Sequence, residues 1–320
     1  MVDRPSPDRP NAGAPAKIPP LDEARPPGMD HAHYPFRTLP DAPRLIWPDG
    51  ARIAFTTTLM LEHWELNPPE GSDRDPRIVS PLGGFQPDFL TWSQRQYGAR
   101  VGIFRVLEML DRFAITPSVA LGAGAAKHYP ELVDECARRG ACFLAHGTHA
   151  TQRITSRMTE TEERAFIAAS RAAVHAATGT DPRGWIGQDF NGSDRTPALL
   201  SEAGFAYTMD WANDDRPYRL GPYGGRHLLA LPPQPEWNDL ECMWLRRVRP
   251  AIWADGATEA FDFLHGEGGG VFNLTLHPHV IGQAHRIRYL GQALARMLGK
   301  TQIWRATTDQ VAHHAEKQLA

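Results

Sequence analysis

Six short apolar runs in this 320-residue chain each lead into side chains that can move protons or bind a polar ligand. Ile53–Leu61 runs into Glu62-His63-Trp64, and Cys142–Ala145 into His146-Gly147-Thr148-His149. Trp185-Ile186 leads to Gly187-Gln188-Asp189, and Thr208-Met209 to Asp210-Trp211. Leu228–Leu231 is followed by Gln234, Glu236, Asn238 and Asp239, and Val271–Leu276 by His277-Pro278-His279. Carboxylates and imidazoles are the usual proton carriers of general acid–base catalysis. Hydrolysing an amide needs an activated water, a polarised carbonyl and a proton for the departing nitrogen. Glu62 or Asp210 suits the base, with partial burial raising its pKa toward neutrality. His146 and His277 suit oxyanion stabilisation and proton delivery. His149, Trp185, Gln188, Trp211, Glu236 and Asn238 are the expected substrate contacts.

These residues can meet only if the runs are parallel strands. Between them stand helical signals. Val101, Phe104, Leu107, Leu110 and Phe113 recur at helical spacing, and Thr159-x-x-Glu162 is a capping box. Helices are also expected at Tyr129–Arg139, Thr196–Ala203, Thr258–His265, Ala284–Leu298 and after Thr308. Strand and helix alternate about seven times, which means parallel strands joined by crossover helices. No Gly-rich phosphate fingerprint follows the first strand, so a dinucleotide-binding fold is disfavoured. The expectation is a (β/α) barrel with fewer than eight strands or incomplete closure. In such barrels the site gathers at the C-terminal strand ends, where all six polar endings would fall.

Composition narrows the partners. The chain has 34 Lys+Arg against 37 Asp+Glu, a formal net charge of −3, which argues against nucleic acid or a polybasic membrane contact. No apolar run reaches the ~18 residues of a spanning helix. Three cysteines without paired spacing fit a reducing compartment, and Met1–Pro20 lacks an apolar leader, so a cytoplasmic protein is expected. Twelve of the 28 prolines lie in the first 48 residues. That divides the chain into a Pro-rich arm, 1–48, and a catalytic domain, 49–320. The arm is expected to be disordered to about residue 28. Beyond that it would lie extended against the body or another subunit, which suggests a homo-oligomer acting on a small molecule.

Several segments resemble the polysaccharide deacetylase superfamily (carbohydrate esterase family four). They are Tyr97-Gly98-Ala99-Arg100-Val101-Gly102, His146-Gly147-Thr148, Pro182-Arg183-Gly184-Trp185, and Tyr207-Thr208-Met209-Asp210-Trp211 with Asn213-Asp214-Asp215. The most specific is Leu276-His277-Pro278 followed by Ile281-Gly282-Gln283-Ala284-His285-Arg286. The chain looks most like the branch of metal-independent allantoinases and cyclic imide hydrolases. The resemblance implies a distorted (β/α) barrel with about seven parallel strands that hydrolyses C–N bonds. Metal-dependent members carry an Asp pair where this chain has Leu61-Glu62. They carry His-x-x-x-His where it has His146 and Ala150, with His149 one place early; Trp185 replaces a usual proline. A catalytic zinc wants three protein ligands and an open position. The expectation is therefore an amidohydrolase without cofactor, opening a small cyclic amide, imide or ureide. The alternatives are a zinc deacetylase of N-acetylated sugars, with Glu62, His146 and His149 as ligands, and an inactive binding protein on the same fold.

Overall fold

The computed structural model describes residues 28–69, 72 and 87–319. The disorder expected to about residue 28 lies, but for Gly28, outside the described residues, as does most of the loop expected over Asn67–Asp88. The chain divides after Ala42 into two compact units. In the first, a 3-10 turn at Leu39–Asp41 is closed by Thr38 Oγ1 donating to Asp41 Oδ2 at 2.6 Å. The second begins at Pro43. It includes Leu45 and Trp47, both buried, with Trp47 Nε1 donating to Gly270 O at 2.9 Å.

Among the described residues, nine strands make one sheet: β1 Ile53–Leu61, β2 Ser118–Leu121, β3 Cys142–Ala145, β4 Gly184–Trp185, β5 Tyr207–Thr208, β6 Tyr218–Tyr223, β7 Arg226–Ala230, β8 Gly270–Leu276 and β9 Ile303–Arg305. Their order is β6-β7-β5-β4-β3-β2-β1-β8, with β9 against the start of β1. All pairs are parallel except the β6–β7 hairpin. The sheet thus curls as a half-barrel of eight parallel strands rather than about seven, with β6 as an antiparallel edge. Each parallel strand falls where an apolar run placed it.

The helices are α1 Phe89–Tyr97, α2 Ile103–Arg112, α3 Ala123–His128, α4 Pro130–Ala137, α5 Glu160–Thr178, α6 Thr196–Glu202, α7 Pro250–Glu267, α8 Ile287–Leu298 and α9 Thr308–Gln318. The capping box at Thr159 and Glu162 opens α5 as expected, and Thr307 and Gln310 form another for α9. Helix α1 and the short α3 were not expected; α7 is much longer than the segment read as helical.

Two cores result. Inside the curl, Ala54, Met60, Ala120, Leu144, Ile186, Met209, Leu231 and Val271 form one cluster with Trp47 and with Val311, Ala312 and Ala315 of α9. Outside it, helices cover Phe55, Phe272 and Phe261, whose rings stack or meet edge-on at 5.3–6.2 Å. Alternation along the strands then fixes which strand ends face inward.

Among the described residues no backbone ladder joins β7 to β8. The Gln234 side chain fills that seam. Its Oε1 accepts from Asn273 N at 2.8 Å and its Nε2 donates to Val271 O at 2.7 Å, as a neighbouring strand would. A π-helical turn at Gly98–Gly102 separates α1 from α2. Its glycines lie against the loop after β8: a Cβ on Gly98 would stand 2.7 Å from His279 N, and one on Gly102 2.1 Å from Pro278 O. Gly282 in turn meets Gly102 backbone to backbone. These contacts give a packing reason for glycine in both motifs.

Candidate active site

Ala54 and Met60 lie in the inner cluster, so Glu62, in the same alternation, projects from the inner face of β1 at its C-terminal end. Leu144 fixes His146 on the same face beyond β3. Val271 does likewise for His277 beyond β8. The parity of three strands therefore brings together three of the four expected catalytic residues.

His146 is fully buried. Its Nδ1 lies 2.8 Å from Ile186 O and its Nε2 3.2 Å from Glu62 Oε1. A carbonyl oxygen only accepts, so Nδ1 carries the hydrogen. One further proton then lies between Nε2 and Glu62. Trp64 Nε1 donates to the other oxygen of Glu62 at 3.3 Å. Burial alone would raise the Glu62 pKa. The hydrogen bond from His146, with the charges of His146, His277 and His279, outweighs it and holds the carboxyl well below the usual carboxylate range.

His277 is held by Asp239, which is wholly buried. Both carboxylate oxygens accept from the His277 backbone N, at 3.0 and 2.9 Å, and Oδ1 accepts from His277 Nδ1 at 2.7 Å. This leaves Nε2 to act. Burial pushes the imidazole pKa down, but Asp239 and then Glu62 push harder, and the net shift is upward. Asp239 arrives from the loop after β7. There Asn238 Oδ1 caps a helical turn by accepting from Leu240 N at 2.9 Å. Asp239 was only one polar residue among several beyond that strand; nothing in its spacing ties it to a histidine 38 residues on. His279 lies beside His277, although alternation along an extended strand would turn the two to opposite faces. The chain turns at once after β8, with Val280 N and Ile281 N both bonded to His277 O, so strand alternation no longer applies. The two rings meet edge-on at 5.9 Å. Burial, with Arg95 and His277 as neighbouring cations, holds His279 well below the ordinary value.

Asp210, the remaining catalytic candidate, is partly buried at the end of β5. Oδ1 accepts from Gly187 N at 2.6 Å and Oδ2 from Thr208 Oγ1 at 2.9 Å. Burial pushes its pKa up to about 6 despite those two donors. Of the expected substrate contacts, His149 and Trp211 are half-exposed or half-buried near strand ends. His149 turns to Thr148 Oγ1 at 3.1 Å, with Nε2 3.8 Å from Glu65. Gln188 is buried and donates to His146 O at 2.9 Å, so it braces the loop. Trp185 is wholly buried, edge-on to Phe205. Asn238 is the cap already described. Glu236 is exposed and paired with Arg246 at 3.0 Å. Arg95, which was not anticipated, lies with its guanidinium carbon 3.1 Å from the centre of the Trp64 ring. Both line the small cleft beside Glu62, with Ala99 and His279.

The positions of a catalytic zinc's ligands in metal-dependent members are only partly matched by donors here. Glu62 and His146 are two ligands, Ala150 is a buried methyl at the family's third, and His149 faces Glu65. Among the described residues no three His, Cys, Asp or Glu groups are placed to hold an ion.

No family model matches the chain. It is 24% identical over 240 residues to a Schizosaccharomyces pombe protein described as "Putative polysaccharide deacetylase", covering 68% of this chain and 73% of that one. PuuE allantoinase superposes with a TM-score of 0.74 and 25% identity, over 85% of this chain and 93% of its own. A Mycobacterium smegmatis structure described in the same words as the yeast protein gives 0.75 and 25%, over 87% and 94%. Curled parallel sheet, motif residues and these likenesses agree: the chain is similar to members of the polysaccharide deacetylase superfamily, with an allantoinase among its structural neighbours.

Proposed function

We propose that this protein hydrolyses a non-peptide C–N bond, opening a small cyclic amide, imide or ureide with its own acid–base groups. The relatives' described activities, deacetylation and allantoin-ring hydrolysis, both cleave such bonds. One observation carries the finer reading. Two buried imidazoles, His146 and His277, each commit Nδ1 to an acceptor; His146 Nε2 meets Glu62, and the charges of His277 and Glu62 act on one another.

Anionic Glu62 orients a water beside His277. His277 Nε2 takes a proton from that water as its oxygen bonds to the ring carbonyl carbon, and Asp239 stabilises the imidazolium. The proton shared by His146 and Glu62 supports the developing oxyanion. When the C–N bond breaks, His277 returns its proton to the nitrogen. Groups of this kind contribute ~10²–10⁴-fold each. That meets the need of a strained or activated ring more readily than that of a plain acetamide.

The test is turnover of a panel of ring amides and N-acetylated sugars, with and without chelator, alongside metal content by mass spectrometry. Chelator-insensitive ring opening by metal-free protein is expected. Activity lost on chelation and restored by zinc, on an acetylated sugar, would replace this reading with the deacetylase.

A further inference from the structure

We propose that Asp210 is a positioning residue for His146, acting on it through the Ile186–Gly187 peptide group. The inference rests on His146 belonging to the hydrolytic site proposed above. Three hydrogen bonds lie in series. Asp210 Oδ1 accepts from Gly187 N at 2.6 Å. The carbonyl of that same peptide group, Ile186 O, accepts from His146 Nδ1 at 2.8 Å. Across the ring, His146 Nε2 meets Glu62 Oε1 at 3.2 Å. The N–H and C=O of one peptide are conjugated, so a negative charge at the N–H raises electron density on the oxygen. Hydrogen bonds in such a chain strengthen one another. Asp210 thereby holds the hydrogen on Nδ1 and makes Nε2 the better proton acceptor.

The surroundings fit this role better than a direct one. Thr208 Oγ1 donates to the second oxygen of Asp210 at 2.9 Å, so neither oxygen is left without a protein donor. Tyr207 and Met209 belong to the inner cluster, which puts Asp210 with Thr208 on the other face of β5, behind the wall of the mouth. The connecting peptide is itself fixed: a Cβ on Gly187 would stand 2.5 Å from Asn191 O. His277 obtains the same support from Asp239 by direct contact. Each imidazole thus has a carboxylate behind its Nδ1, one touching it and one a peptide away.

The test uses the full chain labelled with 15N-histidine, the His146 ring signals being assigned by their loss in His146→Gln. In the wild type, His146 should show a slowly exchanging, downfield Nδ1–H proton. In Asp210→Ala that proton should move upfield and exchange faster, and the Nδ1 shift should change with it. Asp210→Asn and Thr208→Val, which keep a hydrogen-bonding group at Gly187 N, should lie between. The kcat should fall roughly 10–100-fold in Asp210→Ala, as for other supporting partners, with KM within about twofold. Ring signals unchanged in all three variants would overturn the proposal. So would a collapse of kcat in Asp210→Asn with unmoved His146 signals, which would make Asp210 itself the base. If the wild type opens no ring amide, the hydrolase reading fails while the resonance comparison still decides this one.

Discussion

Asp239 grips His277 twice, accepting from its backbone N at 2.9 Å and from its ring Nδ1 at 2.7 Å. One buried carboxylate therefore sets both where the histidine begins and which way its ring turns.

Replacing that carboxylate should be costly in a specific way. Asp239→Asn keeps the shape but can present an N–H to Nδ1, favouring the wrong tautomer. A fall in kcat on the order of 10²–10⁴-fold with little change in KM is expected, read by steady-state kinetics. Breaking a buried pair should also destabilise by roughly 3–5 kcal/mol. The pH dependence has a sign. The His277 pKa is raised on folding, so its contribution is full below the ordinary 6.5 and is lost as pH rises through the folded value. The stability gap between wild type and variant, measured by urea denaturation, should therefore shrink on going from pH 6 to pH 9.

Asp210 has the opposite profile from a paired surface acid. Its folded pKa is about 6 against 3.8 ordinarily. It therefore favours the fold most below 3.8, and that advantage disappears as pH rises through about 6. Asp210→Asn should match the wild type in stability near pH 4 and exceed it by about 1–3 kcal/mol at pH 8. Parallel denaturation curves at the two pH values check this. A variant weaker at pH 8 than at pH 4, relative to wild type, would contradict it.

The Gln234 side chain bridges the seam between β7 and β8. Gln234→Leu would leave the Asn273 N–H and Val271 C=O buried without their partner. Each such group costs about 1–3 kcal/mol. The expected result is a loss of roughly 2–5 kcal/mol in chemical denaturation, and earlier hydrogen exchange at Asn273 than at its β1 partner Thr56.

Two glycine substitutions should part company. Gly102→Ala drives a methyl to 2.1 Å from Pro278 O, a backbone atom that cannot turn aside. A loss of about 1–3 kcal/mol or more follows, with activity falling because the loop carrying His277 must shift. Gly256→Ala, inside α7 with nothing within 4 Å, should instead gain roughly 0.5–1 kcal/mol. Thermal melts of the pair decide it.

Much of this was legible in residue order. The eight parallel strands are short apolar runs, and a run buried on both faces has few other readings. Alternation places Glu62, His146 and His277 on one face because each continues a strand whose parity is fixed by packing. What escaped has physical reasons. The β6 strand contains Gly221 and Pro222 and lies at the edge, where alternation is weak. Helix α1 has a polar sequence, Phe89–Tyr97, with no long apolar stripe. Trp185 was expected at the mouth, but an aromatic at the end of a two-residue strand is free to face the helices, and it does. Asp239 belongs to the site through a loop contact that no local spacing encodes.

The lower end of the curl has one further consequence. Trp47, Trp304 and helix α9 seal it, with the Tyr207 hydroxyl bonded to Thr308 and Asp309 beneath the inner cluster. Among the described residues, the inner cluster packs between that end and the polar strand ends. With the inner cluster behind the cleft beside Glu62, product and substrate would share that cleft, and product inhibition should be competitive.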